Sequence, residues 1–211
     1  MRKVTGHLVY SPSDLIRYFA SPYASWMDRY HLENPGALTP DEQTEDQKLI
    51  IETGIQHERT ILGEFKSSVA DMVEISQANP DSVAATIAAI QANAPIIYQA
   101  ALADERFAGY ADFIILDEAG KYLTWDTKLA RSPKPNYAIQ LCCCSEMFAA
   151  TSGLTMPEKF GIILGTADRV EFRVEDFIHY YRHIRQSFLA LQDGFTGNLD
   201  ECPEPASGVD H

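Results

Sequence analysis

Apolar positions fall at two different periods along this chain. In "KLIIETGIQHERTILGEFKSSV" (48–69), Ile50, Ile51, Gly54, Ile55, Ile61, Leu62 and Phe65 recur at helical spacing, which predicts a long helix with one inward stripe. His57 and Glu58 both fall on that stripe. Strand-like runs follow at "IIYQAAL" (96–102), "GYADFIIL" (109–116) and "YLTWDTKL" (122–129). "KFGIILGT" and "RVEFRVE" read as a further hairpin.

Punctuation residues bound the remaining elements. Ser11, Pro12 and Asp14 open a helix with Leu15, Ile16 and Phe19 on its apolar face, and Pro22 breaks or restarts it. The acidic, breaker-rich stretch 33–47 predicts an exposed loop. The alanine-rich "SVAATIAAIQANA" predicts a helix stopped by Pro95. "YAIQLCCCSEMFAATSG" predicts a buried helix ended by Gly153, and "DFIHYYRHIRQSFLALQDG" a last amphipathic helix ended by Gly194. One domain over 1–195 is expected, with a polar, flexible tail over 196–211 that could link to a further domain. The class is α/β, a mixed central sheet flanked by helices.

Composition narrows the function classes. The chain has 211 residues, 45% of them hydrophobic, enough for one sizeable core. No apolar run approaches the ~20 residues of a membrane span, and the N-terminus carries no signal-like apolar stretch. No membrane association is expected, and a soluble, cytoplasmic protein is. Cys142, Cys143 and Cys144 are consecutive and Cys202 is remote, so a disulfide framework or CxxC-type zinc site is not expected. The triplet reads first as small core filling and second as metal binding. A net charge of −13 argues against passive electrostatic binding of nucleic acid. Local basic residues remain: Arg131 and Lys134 after the central hairpin, then Arg182 and Arg185 on one helical face near His179 and His183. They are either solvated surface or the flanks of a phosphate track.

The central hairpin carries the candidate chemistry. A turn centred on Ala119 sets Asp112 directly opposite Asp126, with Cβ atoms about 4.5–5.5 Å apart on one face. Two such carboxylates repel unless a divalent cation, magnesium or manganese, sits between them. Lys128, two residues after Asp126, returns to the same face, where it can steady an activated water or charge developing on phosphorus. The pairing depends on the turn centre, since a one-residue slip would carry Asp126 out of register. The alternative is an ordinary cross-strand charge pair. His57 and Glu58 are either further ligands or, respectively, a hydrogen-bonded core histidine and a snorkelling acid. Gln140, early in an apolar helix, either holds backbone groups or contacts substrate.

Taken in order, "GIQHE", "GYAD", "WDTK" and "YAIQL" resemble the motif series of the RecB-like branch of the PD-(D/E)XK nuclease superfamily. The leading "YSPSDLIRYFASPYASWMD" resembles the N-terminal segment of RecB-like and CRISPR-associated exonucleases. The resemblance implies a restriction-endonuclease-like core and metal-dependent hydrolysis of DNA in repair, recombination or defence. It implies that His57, Glu58, Asp112 and Asp126 are metal ligands, with the Thr127 carbonyl added. Lys128 would be the catalytic lysine and Gln140 the glutamine opening the Q-x-x-x-Y motif. Cys144 stands where that motif has tyrosine, which bears on the helix's DNA contact but not on hydrolysis. Ser21 stands near the position of the N-terminal cluster cysteine of many relatives, and Cys202 is the single late cysteine; no iron–sulfur cluster is expected. Relatives are often fused to or associated with helicase motors, so DNA and a helicase domain or subunit are the implied partners. The competing function is a catalytically inactive DNA-binding or scaffolding module of the same fold, and a third is a protein-interaction domain with surface charges on the hairpin.

Overall fold

Ser11 accepts the backbone N–H of Asp14 while the Asp14 carboxylate accepts that of Ser11, so helix α1 (Pro12–Ala20) starts where the Ser-Pro-x-Asp pattern predicts. Ser21 then closes α1 and caps α2 (Pro22–Glu33), making Pro22 a restart rather than a kink. The computed structural model describes residues 1–39 and 41–205. A short hairpin, β1 (Arg2–Val4) and β2 (His7–Val9), precedes α1. After it come α3 (Glu45–Ser68), β3 (Val73–Glu74), α4 (Ser82–Gln91), β4 (Ile96–Ala103), β5 (Ala108–Leu116) and β6 (Tyr122–Lys128). The chain continues through α5 (Pro135–Ser152), β7 (Lys159–Leu164), β8 (Arg169–Arg173) and α6 (Ile178–Asp193). Of the expected tail, Leu199–Glu201 makes a 3-10 turn, and residues 206–211 lie outside the described residues.

Strands β3 to β8 form one six-stranded sheet in sequence order. The β3–β4 and β6–β7 pairs are parallel and the others antiparallel, which makes this a mixed α/β sheet. Alternation along the strands sends side chains to two separate cores. On one face Phe113, Leu123, Trp125 and Ile163 pack against Ile61 and Phe65 of α3. On the other, Ile114, Tyr122, Phe160 and Ile162 join α5, α4, α1 and α6 in the larger cluster. Each fully buried side chain of this size contributes about 1.5–3 kcal/mol. Gly161 on β7 stands opposite Trp125, and a Cβ there would run into the indole. No helix among the described residues is long and apolar enough to cross a membrane.

Two expectations need correction. Helix α3 begins at Glu45, inside the stretch read as loop, because Thr44 and Gln47 form a capping box. Its apolar stripe is also not inward throughout. Ile61 and Phe65 are buried, but Ile50, Ile51 and Ile55 are 63%, 48% and 44% exposed. The helix meets the sheet only from about Gly54 onward, where a Cβ would stand 3.8 Å from Leu129, just past the end of β6. Its first two and a half turns extend beyond that contact, so helical period there does not report burial.

Candidate active site

The β5–β6 register follows the expected turn, with Leu116 opposite Tyr122 and Phe113 opposite Trp125. Backbone pairing stops at that last pair, one position short of Asp112 and Asp126. Beyond it Asp112 Oδ2 accepts the Thr127 backbone N–H at 2.8 Å and the Thr127 hydroxyl at 2.9 Å. A carboxylate thus takes over from the ladder where the two strands part.

The acids nevertheless meet. Burial, then the charge of Asp126, pushes the Asp112 carboxyl up to about 7. Burial also raises Asp126, and the Lys128 charge beside it works the other way. Asp126 is buried on β6 beside Ile162 of β7, and Gln140 of α5 donates its amide to Asp126 Oδ1 at 3.1 Å. Lys128 Nζ lies 2.5 Å from Asp126 Oδ2. Oδ2 is thus met by the Lys128 ammonium and Oδ1 by the Gln140 amide. Burial disfavours the Lys128 charge, but Asp126 and Asp112 outweigh it and hold the pKa above the ordinary lysine value. The Lys128 ammonium also sits 5.3 Å over the ring of Tyr137, three residues before Gln140 on the same face of α5.

Helix α3 brings the third acid. Glu58 is half-buried, and its Oε1 accepts the Tyr98 hydroxyl at 2.8 Å and the Gln99 amide at 2.6 Å, both from β4. Burial, then the charge of Asp112, raises the Glu58 pKa against those two hydrogen bonds. His57, next to it, has a buried Nε2 with no hydrogen-bond partner. Both residues lie just past Gly54, one turn before buried Ile61, where α3 first meets the sheet.

The basic residues divide. Arg131 and Lys134 are exposed in the loop between Lys128 and α5. Arg182 and Arg185 instead face the outer side of α5: Arg182 pairs with Glu146 at 2.8 Å and Arg185 with Asp104 at 3.0 Å. They line a groove of about 450 Å³ with Glu146 and Asp193, and their charge is already met by acids. Cys142, Cys143 and Cys144 are buried, and burial pushes the first two thiols up to about 12 and the third well above its usual value. They are core filling and remain protonated at neutral pH.

Tyr98, Gln99 and Tyr137 also reach the site's charged groups, beyond the residues that the sequence motifs point to. Tyr137 carried a signal, since it lies one turn before Gln140. Gln99 carried none, because alternation along "IIYQAAL" puts it on the face opposite Tyr98.

Among the described residues no three His, Cys, Asp or Glu side chains stand as a ready-made metal cage. The donor set still fits a hard divalent cation. Glu58, Asp112 and Asp126 each have raised pKa values, in part from one another's charge, and His57 Nε2 is buried without a hydrogen-bond partner.

No family model and no curated protein matches the chain. Among solved structures it is similar to that described as "Crystal structure of SSO0001", at 15% identity and a TM-score of 0.40, covering 95% of this chain and 85% of that one. At that level of likeness neither fold family nor activity passes from one protein to the other.

Proposed function

We propose that this chain is a PD-(D/E)XK nuclease domain of the RecB-like branch, hydrolysing phosphodiester bonds in DNA with magnesium or manganese, in repair, recombination or defence. The observation that carries the reading is the meeting of Asp112, Asp126 and Lys128 at the parted end of β5 and β6, where burial raises both carboxyls. One lysine faces Asp112 and Asp126 with Glu58 beside them, an excess of negative charge that a divalent cation would offset.

Glu58, Asp112 and Asp126 would hold the cation, with His57 Nε2 and the Thr127 carbonyl as further donors. When bound, a divalent cation supplies Lewis acidity to the scissile phosphate and lowers the pKa of an attacking water. Lys128 brings a fixed positive charge to the edge of the same acids, where it stabilises negative charge gathering on the phosphoryl oxygens. Gln140 holds Asp126 by Oδ1 and Thr127 holds Asp112 by Oδ2, so each carboxylate keeps one oxygen clear of those bonds. Arg131 and Lys134, exposed beside Lys128, would meet the substrate backbone. A helicase domain or subunit that delivers the strand fits the same reading. The inactive DNA-binding alternative draws less support, since Arg182 and Arg185 are already paired with acids and the chain carries a net charge of −13.

The test is cleavage of end-labelled single- and double-stranded DNA with magnesium, manganese or EDTA, beside Asp126→Ala and Lys128→Ala. Metal-dependent cleavage that both substitutions abolish, with melting still cooperative, supports the proposal. Cleavage retained in both variants removes this site from consideration.

A further inference from the structure

Gln99 lies in the middle of β4 with φ +52, a left-handed backbone that a non-glycine residue adopts only against a steric penalty. The strand pairs normally on either side, Tyr98 with Phe113 and Ala100 with Ala111, so no turn explains the departure. Its consequence is local. Consecutive residues of an extended strand point to opposite faces, yet Tyr98 and Gln99 both reach Glu58.

Both donors converge on the same oxygen, Oε1. A carboxylate only accepts, so the Gln99 amide must present its nitrogen to Glu58, and its oxygen accepts the Gln77 amide at 2.7 Å. Three residues from β4 and the segment after β3 therefore pin one oxygen of an acid whose nearest charged neighbours include Asp112 and Lys128.

We propose that Tyr98 and Gln99 are positioning residues that clasp Glu58 by Oε1 and turn its Oε2 toward the cation shared with Asp112. The proposal rests on the metal-nuclease reading. It assigns the strained backbone a purpose, because a Gln99 in ordinary extended conformation would point away from Glu58 and leave Tyr98 as the sole donor. Groups that orient a metal-binding carboxylate act on affinity for the ion before they act on turnover.

The experiment is a calorimetric Mn2+ titration of the whole chain, without DNA, for wild type, Tyr98→Phe, Gln99→Gly, Glu58→Gln and Asp126→Ala, with melting temperatures alongside. Tyr98→Phe and Gln99→Gly are each expected to weaken Mn2+ binding by roughly 10- to 100-fold. Gln99→Gly relieves the left-handed strain while losing the bonds to Glu58 and Gln77, so it should melt close to wild type and remain folded. Their DNA cleavage should need more Mn2+ for half activation than that of wild type. Unchanged Mn2+ affinity in both clasp variants, with Glu58→Gln and Asp126→Ala weakened, overturns the clasp and leaves the metal site standing. If wild type binds no Mn2+, or Asp126→Ala binds it equally well, the metal reading itself falls and the clasp with it.

Discussion

Asp112 on β5 holds Thr127 on β6 by both its backbone N–H and its hydroxyl, 2.8 and 2.9 Å from the same carboxylate oxygen. The side chain bridges the strands at the point where they separate, and it keeps Asp126, the residue before Thr127, at the mouth of the opening. Thr127→Val should keep the backbone bond and lose the hydroxyl bond. A loss of about 1 kcal/mol in urea unfolding is expected, with cleavage reduced less than about tenfold because no proposed ligand is removed. A far larger loss of cleavage would mean that the hydroxyl itself touches substrate or ion.

The raised Asp112 pKa sets the pH dependence of the metal-free protein. Its carboxyl holds a proton more tightly folded than unfolded, so it contributes stability at low pH that is lost as pH rises from the ordinary carboxylate range through about 7. Asp126 and Glu58 shift in the same direction. In EDTA the melting temperature should therefore fall between pH 5 and 8. Asp112→Asn should flatten that fall, and added Mg2+ should oppose it by binding the ionised acids. A melting temperature that rises across the window in EDTA would contradict the arrangement.

Lys128 neutralises Asp126 and is cradled by Tyr137. Lys128→Ala should lower kcat by about 10²–10³-fold, the usual consequence of removing a transition-state charge stabiliser. Metal affinity should hold or rise, because a competing cation has gone. Tyr137→Leu should cost kcat far less, in single-turnover assays at saturating Mn2+.

Gly161 lets the Trp125 indole lie against β7. Gly161→Ala should destabilise by about 1–3 kcal/mol, as overpacking of a dense core does, and the displaced ring should disturb neighbouring Asp126. Urea unfolding followed by tryptophan emission reads both, and an unchanged midpoint would show that the indole has room to move.

Much of the fold is legible residue by residue. The β4, β5 and β6 segments lie within a residue of their expected bounds, and the hairpin register follows from the turn around "DEAG". Asp126 and Lys128 share a face because strand period returns every second side chain, and Gln140 meets them from the helix that follows. Helix α3 shows where pattern stops informing. The same aliphatic spacing that buries Ile61 and Phe65 leaves Ile50 and Ile51 exposed, since period describes a face and not what lies against it.

The sequence by itself determined what depends on neighbours along the chain: the Ser11 cap, the interruption at Pro22, the alternation of β6 and the shared face of Asp126 and Lys128. Tertiary structure alone decided where β5 and β6 part, that Arg182 and Arg185 are met by Glu146 and Asp104, and that Glu58 is held by Tyr98 and Gln99. The reason is distance along the chain. Glu58 and Tyr98 are 40 residues apart, and no local period encodes which acid a strained glutamine will reach once the sheet and helix have closed on each other.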